Sequence, residues 1–186
     1  MTAFTIPGMT KKDSDATGEI LSDRLRSLID LSLTLKHVHW NVVGPHFIGV
    51  HEMLDPQVIA VRGMVDELAE RIATLGGTPV GTPGHLVENR SWDDYALNKA
   101  TVVEHLGALD MVYSGVVEDQ RKAIESLGDL DPVSEDMVVG HTGQLELFQW
   151  FVRAHLENAS GELSTAGAES ESESESEAAA EANAAS

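Results

Sequence analysis

The chain has 186 residues, 42% apolar and 23% charged, with a formal charge of -19 and no cysteine, enough for one globular domain with a real core and short for two. The missing cysteine excludes disulfide frameworks, thiol catalysis and Cys-based zinc sites, and it leaves His and carboxylates as metal ligands. The 31 acidic residues against 12 basic ones argue against a nonspecific grip on nucleic acid or anionic membrane, and they point to cations as the small partners.

In chain order, residues 1–14 lack the basic n-region and apolar h-region of a secretory signal and read as a flexible N-terminal segment. A first helix is expected from near Asp15 to about Val42, because Leu21, Leu25, Leu28 and Leu35 recur on one stripe and Gly44 with Pro45 stops it. A second runs from about Gly49 to Leu75 and ends at Gly76 and Gly77. The connection that follows is rich in Pro and Gly, with a short helix at Pro83 to Glu88. A third long helix fits Tyr95 to Leu127, with Asp93 to Tyr95 as its start. The fourth opens with Asp131 as cap and Pro132 at the first helical position and continues to about Asn158.

Four long helices without strand signals predict an all-α four-helix bundle over residues 15–161. Residues 162–186 carry seven glutamates and no Lys or Arg. This low-complexity composition reads as a disordered acidic tail. No window approaches the roughly 18 uninterrupted apolar residues of a membrane span, so a soluble, cytoplasmic protein is expected.

The stretch from Leu33 to Asp55 holds four histidines inside a pattern that otherwise reads as buried helix. His39 falls within about 40° of the Leu21, Leu25, Leu28 and Leu35 stripe and points toward whatever that stripe packs on. On the second helix His51 and Asp55 are spaced i, i+4, and Asp66 and Glu70 repeat the spacing two to three turns later, all four expected on or beside the buried side. Asp55 and Asp66 are then about 16 Å apart along the axis, whereas a metal holds its ligands at about 2 Å. One chain cannot close such a site. Two copies packed antiparallel about a twofold axis near Ala60 and Val61 would place Asp66 and Glu70 opposite the other copy's His51 and Asp55, and two His with three carboxylates suit iron. The alternative for Asp66 and Glu70 is a solvated face with ion pairs to Arg62 or Arg71.

The runs "KHVHWNVVGPHFIGVHEMLDPQ" and "DELAERIATLGGTP" resemble the signature of the Dps proteins, the mini-ferritins of bacteria and archaea. The resemblance covers about Asp15 to Gly161. It implies a homo-dodecameric hollow cage in which ferrous iron is oxidised, preferably by hydrogen peroxide, and the ferric product is stored as mineral. The matching positions of the ferroxidase centre are His39, His51 and Asp55 from one subunit with Asp66 and Glu70 from its mate. The resemblance also suggests an iron entry pore near Asp131 and Asp136, with Asp129 and Glu135 close by. Asp131 serves equally well as a helix cap. Trp40 stands as an electron donor on the same ground, beside the reading of an aromatic packing anchor.

His37, His46, His85, His105, His141 and His155 lack a carboxylate at ligand spacing and read as structural or surface residues, and Trp150 reads as core. Two rival functions remain. A DNA-compacting nucleoid protein is disfavoured by the acidic tail, which leaves Lys11 and Lys12 as the basic residues near a terminus. An intrachain di-iron oxygenase or manganese catalase is disfavoured because the sequence contains no Glu-x-x-His.

Overall fold

The computed structural model describes residues 6–158, 160 and 162–164. The expected tail therefore lies almost wholly outside the described residues, as do residues 1–5. Helix α1 spans Lys11–Asn41 and starts four residues before the expected position, because Thr10 caps it by accepting from the Asp13 backbone N–H at 3.1 Å. Ile6 and Met9 pack against the core, and the Ser14 hydroxyl donates to the Leu75 carbonyl at 2.5 Å. The segment from residue 6 onward is thus held by the bundle.

A tight connection follows α1. Val42–Val43 form a two-residue strand, β1, and Gly44 and His46 take positive φ angles of 93° and 66°. Glycine adopts that conformation without a Cβ clash, whereas His46 pays for it in local strain. Helix α2, Phe47–Thr74, starts at once and carries Pro56 inside it, which removes one intrahelical hydrogen bond. Helix α3, Pro83–Asn89, interrupts the long connection. Strand β2, Ala100–Thr101, then pairs with β1 in parallel, Val42 opposite Ala100 and Val43 opposite Thr101. No strand was expected from the sequence. Strands this short need no periodic apolar signal, because they form where the two connections run side by side.

Helix α4 is Val102–Leu127 and begins seven residues later than Tyr95. A local motif decides its start: the Thr101 side chain accepts from the Glu104 N–H, and the Glu104 carboxylate accepts from the Thr101 N–H at 2.8 Å. This reciprocal capping box closes the helix end at Thr101 and leaves Asp93 to Tyr95 in the connection. Helix α5, Pro132–Leu156, starts as expected with Asp131 as cap.

Helix α1 packs along α2 and α4 along α5, and the two hairpins meet through α1 and α4. Leu21, Leu28, Leu35, Leu54, Leu68, Leu106, Leu109 and Leu145 are fully buried between them, and each contributes about 1.5–3 kcal/mol by leaving water. The connection after α3 is fastened to α1 by Arg90, whose Nε and Nη2 donate to the two oxygens of Asp30 at 3.0 and 3.1 Å. Burial pushes the Asp30 carboxyl upward against the pull of that guanidinium. No helix among the described residues is long and apolar enough to cross a membrane.

Candidate metal centre

The short turn between α1 and α2 brings His39, in the last turn of α1, against His51, near the start of α2. Their rings stack with centroids 3.6 Å apart and planes at 21°. Each ring also binds the other residue's main chain, His39 Nδ1 to the His51 carbonyl at 2.8 Å and His51 Nδ1 to the His39 carbonyl at 2.8 Å. A carbonyl only accepts, so both Nδ1 atoms carry the proton and both Nε2 atoms keep a free lone pair. Metal-binding imidazoles are commonly oriented in this way.

Asp55 lies one turn beyond His51, with its Oδ1 3.5 Å from His39 Nδ1. Lys36 Nζ donates to the same oxygen at 2.8 Å, and this bond, ahead of the neighbouring histidines, holds the Asp55 carboxyl below the usual carboxylate range. Lys36 was not singled out in the sequence, although it sits at i−3 from His39 and so shares its face. Its ammonium also lies 5.8 Å from the centre of the Trp40 ring, a cation–π distance. Trp40 is 70% exposed, so within one chain it anchors little packing.

His39 is buried, His51 half-buried, and Asp55, Asp66 and Glu70 exposed. The carboxylates therefore lie on a face of α2 that a single chain leaves uncovered, and not on its buried side. The exposed residues Asp55, Ile59, Arg62, Asp66 and Glu70 recur at helical spacing along that face. Ile59, at its centre, is 73% exposed. Arg71, one of the two ion-pair partners the solvated-face alternative requires, is committed elsewhere. It donates from Nε to Ser134 Oγ at 2.9 Å and from Nη2 to Asp131 Oδ2 at 2.5 Å.

The structure thus groups His39, His51 and Asp55 and leaves Asp66 and Glu70 farther along α2, a separation of about 16 Å at the helical rise. Among the described residues, no three His, Asp or Glu side chains of one chain converge closely enough to hold a metal ion.

Against this geometry the comparisons with known proteins are direct. The ferritin-like domain family matches residues 18–161. The DNA protection during starvation protein of Mycolicibacterium smegmatis is 60% identical over 167 residues, covering 90% of this chain and 91% of that one. The fine tangled pili major subunit of Haemophilus ducreyi is 51% identical over 159 residues, covering 86% of this chain and 84% of its own. Among solved structures, Mycobacterium smegmatis Dps superposes with a TM-score of 0.87 at 61% identity, covering 88% of this chain and 94% of that chain. DpsA14 from Streptomyces coelicolor gives 0.85 at 58%, covering 87% and 96%. The chain is a member of the Dps family.

The cap expected at Asp131 holds in this Dps chain, while the reading of Trp150 changes. Asp131 is buried and caps α5, accepting from the Val133 and Ser134 N–H groups while paired with Arg71, so its carboxylate faces the α2 seam. Asp136 and Asp129 are exposed and Glu135 half-buried. His141 does have a carboxylate partner, from another helix: its Nε2 lies 2.7 Å from Glu67 Oε2. Trp150, expected in the core, is 60% exposed, because it shares an uncovered face of α5 with Val139 and Leu147. His105 is buried beside Tyr95, a pairing the sequence did not signal.

Although burial opposes it, the bonds from Ser134, Arg71 and the Val133 N–H hold the Asp131 carboxyl below the ordinary carboxylate range. A depressed folded-state value gives stability that is present above the unfolded value and lost as pH falls through the folded one. Asn also caps helices well, so Asp131→Asn isolates the charge. The variant is expected to be less stable by about 1.5–3 kcal/mol at neutral pH, the usual range for bonds to a charged group. The gap should close as pH falls below about 4, near the unfolded value for Asp. Denaturant melts at neutral and acid pH check this, and a gap that stays constant across the range contradicts it.

Proposed function

We propose that this Dps chain oxidises ferrous iron with hydrogen peroxide at centres shared by two subunits and stores the ferric product as mineral inside a dodecameric cage, protecting the cell from oxidative damage. The observation that carries this reading is the stacked His39–His51 pair, each Nδ1 held by the other residue's carbonyl, with Asp55 Oδ1 3.5 Å from His39 Nδ1. Its donor set is continued by Asp66 and Glu70 on the same uncovered stripe. Iron is the substrate and cargo, and imidazole with carboxylate suits it in both oxidation states.

A twofold axis near Ala60 and Val61 would set Ile59 of each copy beside Arg62 of the other and bury this apolar part of the stripe. The same operation puts Asp66 and Glu70 of one copy opposite His51 and Asp55 of the other, and a closed twofold contact of this isologous kind is the commonest in soluble oligomers. The chain's own residues then have distinct tasks. His39 and His51 bind through Nε2, held in that tautomer by each other's carbonyls. Asp55 contributes a carboxylate kept ionised by Lys36, and Asp66 and Glu70 supply the charge that balances the ferric product. Two ferrous ions at one centre give two electrons to one peroxide, which with two protons becomes two waters, so no hydroxyl radical is released.

Mixing chains tests the shared centre. His39→Ala/His51→Ala and Asp66→Ala/Glu70→Ala chains should each be inactive alone. Co-assembled at equal amounts, roughly a quarter of the centres should be intact under random pairing across an isologous contact, and ferrous oxidation should recover accordingly. Co-assemblies no faster than either parent contradict the shared geometry.

Direct binding of DNA is not part of this reading, although a relative is named for DNA protection. Phosphate binding requires cations, and the chain carries -19 with seven glutamates in residues 162–186. In a gel-shift assay at about 0.15 M salt, the full-length protein should leave DNA unretarded. Retardation by the full-length protein contradicts this, and retardation only by a chain ending at Gly161 assigns the exclusion to the acidic tail.

A further inference from the structure

The chain has two tyrosines, and the structure gives their hydroxyls different partners. Tyr113 is fully buried and donates to Gln57 Oε1 at 2.8 Å. An amide oxygen accepts a hydrogen bond but does not take the proton, and burial pushes the Tyr113 phenol far up. Tyr95 sits in the connection before α4, with its hydroxyl 3.1 Å from Nδ1 of His105 and 3.2 Å from the His105 carbonyl. The two rings are stacked, 6.0 Å between centroids and 6° between planes.

His105 is fully buried, and burial lowers its pKa and favours the neutral ring; in the tautomer protonated at Nε2, Nδ1 faces the phenol at 3.1 Å as an acceptor. No acceptor meets hydrogen-bond geometry at Nε2. Hydrogen bonding with the main chain at Asn41 and Asn98 favours the charged ring, but burial outweighs it. On its other side Tyr95 meets the edge of His37 at 5.8 Å, and His37 is held by the Leu97 carbonyl at 2.7 Å. His37 lies two residues before His39 on α1, about 3 Å along the helix axis and on the opposite side of the helix.

We propose that Tyr95 and His105 form a proton-coupled electron donor that quenches one-electron oxidants generated beside His39 and His51. The proposal rests on the ferroxidase reading for the source of the oxidant: a centre holding a single ferrous ion reduces peroxide by one electron and yields hydroxyl radical and hydroxide. Tyr95 gives one electron, which reduces the hydroxyl radical to hydroxide. Its Oη–H bond breaks, and the proton moves to Nδ1 of His105. The products are a neutral tyrosyl radical, an imidazolium and hydroxide, so charge and atoms balance. Tyr113, with no base on its hydroxyl, does not take part.

The test separates the pair from the iron chemistry. In the first arm the full-length protein is oxidised without iron by flash-generated ruthenium(III) tris(bipyridine), with ring-deuterated tyrosine and freeze-quench electron paramagnetic resonance as the readout. A tyrosyl radical is expected in the wild type and in Tyr113→Phe and is expected to be lost in Tyr95→Phe. His105→Gln keeps an acceptor but no base. Its circular dichroism should be native, and its radical should form about a hundredfold more slowly, the low end of what a positioned proton acceptor contributes. A tyrosyl signal that survives Tyr95→Phe, or a rate unchanged in His105→Gln, overturns the proposal.

In the second arm, substoichiometric ferrous iron and peroxide are added with a spin trap. Tyr95→Phe should release more hydroxyl-radical adduct than the wild type, and equal adduct overturns the link to the centre. Absence of ferrous oxidation with the first-arm signals intact sinks the ferroxidase reading and leaves the Tyr95–His105 pair standing.

Discussion

The reciprocal bonds between His39 and His51 are the interaction on which the rest of the site depends. Each imidazole spends its Nδ1 proton on the other residue's carbonyl, so one pair of bonds closes the α1–α2 turn, fixes two tautomers and aims two lone pairs. Histidines at these positions would otherwise cost stability as half-buried polar groups. Here their donors are satisfied within the chain while their acceptors stay available. Asp55, one turn along α2, and Lys36, one turn back along α1, are brought to the same place by the same closure. The strained φ of 66° at His46 lies inside this turn, where the surrounding contacts over-determine the backbone.

The second constraint is the rise of a helix. Because α2 advances about 1.5 Å per residue, the distance from Asp55 to Asp66 cannot be shortened by any side-chain rotation, and both carboxylates sit on a face the chain itself does not cover. Other polar groups in the bundle are consumed internally. Arg71 reaches α5 at Asp131 and Ser134, Arg90 reaches Asp30, and Glu67 reaches His141. Asp66 and Glu70 are left out of these pairings, which is consistent with the proposal that this face meets a second copy. The exposed Ile59 at the middle of the stripe fits the same account.

What was legible in the sequence follows from how local each signal is. The stripe of Leu21, Leu25, Leu28 and Leu35 and the Asp131–Pro132 start lie within a turn or two of the structure they specify, and those helices came out close to their expected bounds. The i, i+4 pairs on α2 marked the proposed donor set for the same reason. The start of α4 was misread because the apolar spacing after Tyr95 continues a helical pattern, whereas the Thr101–Glu104 box, four residues long, decides the boundary. Lys36 on Asp55 and Tyr95 on His105 are contacts across 19 and 10 residues, and the His39–His51 lock uses main-chain carbonyls, which residue type does not encode. Trp150 shows a different limit. Periodicity identifies an apolar face but not whether the same chain covers it.

The central claim is that one centre is built by two copies of α2, and iron-edge anomalous diffraction from crystals soaked anaerobically with ferrous iron tests it most directly. The account predicts a peak on the twofold interface, about 2 Å from imidazole nitrogen and carboxylate oxygen, with His51 contributed by one copy and Asp66 and Glu70 by the other. A peak ligated wholly within one chain, or iron bound only away from this stripe, would contradict it.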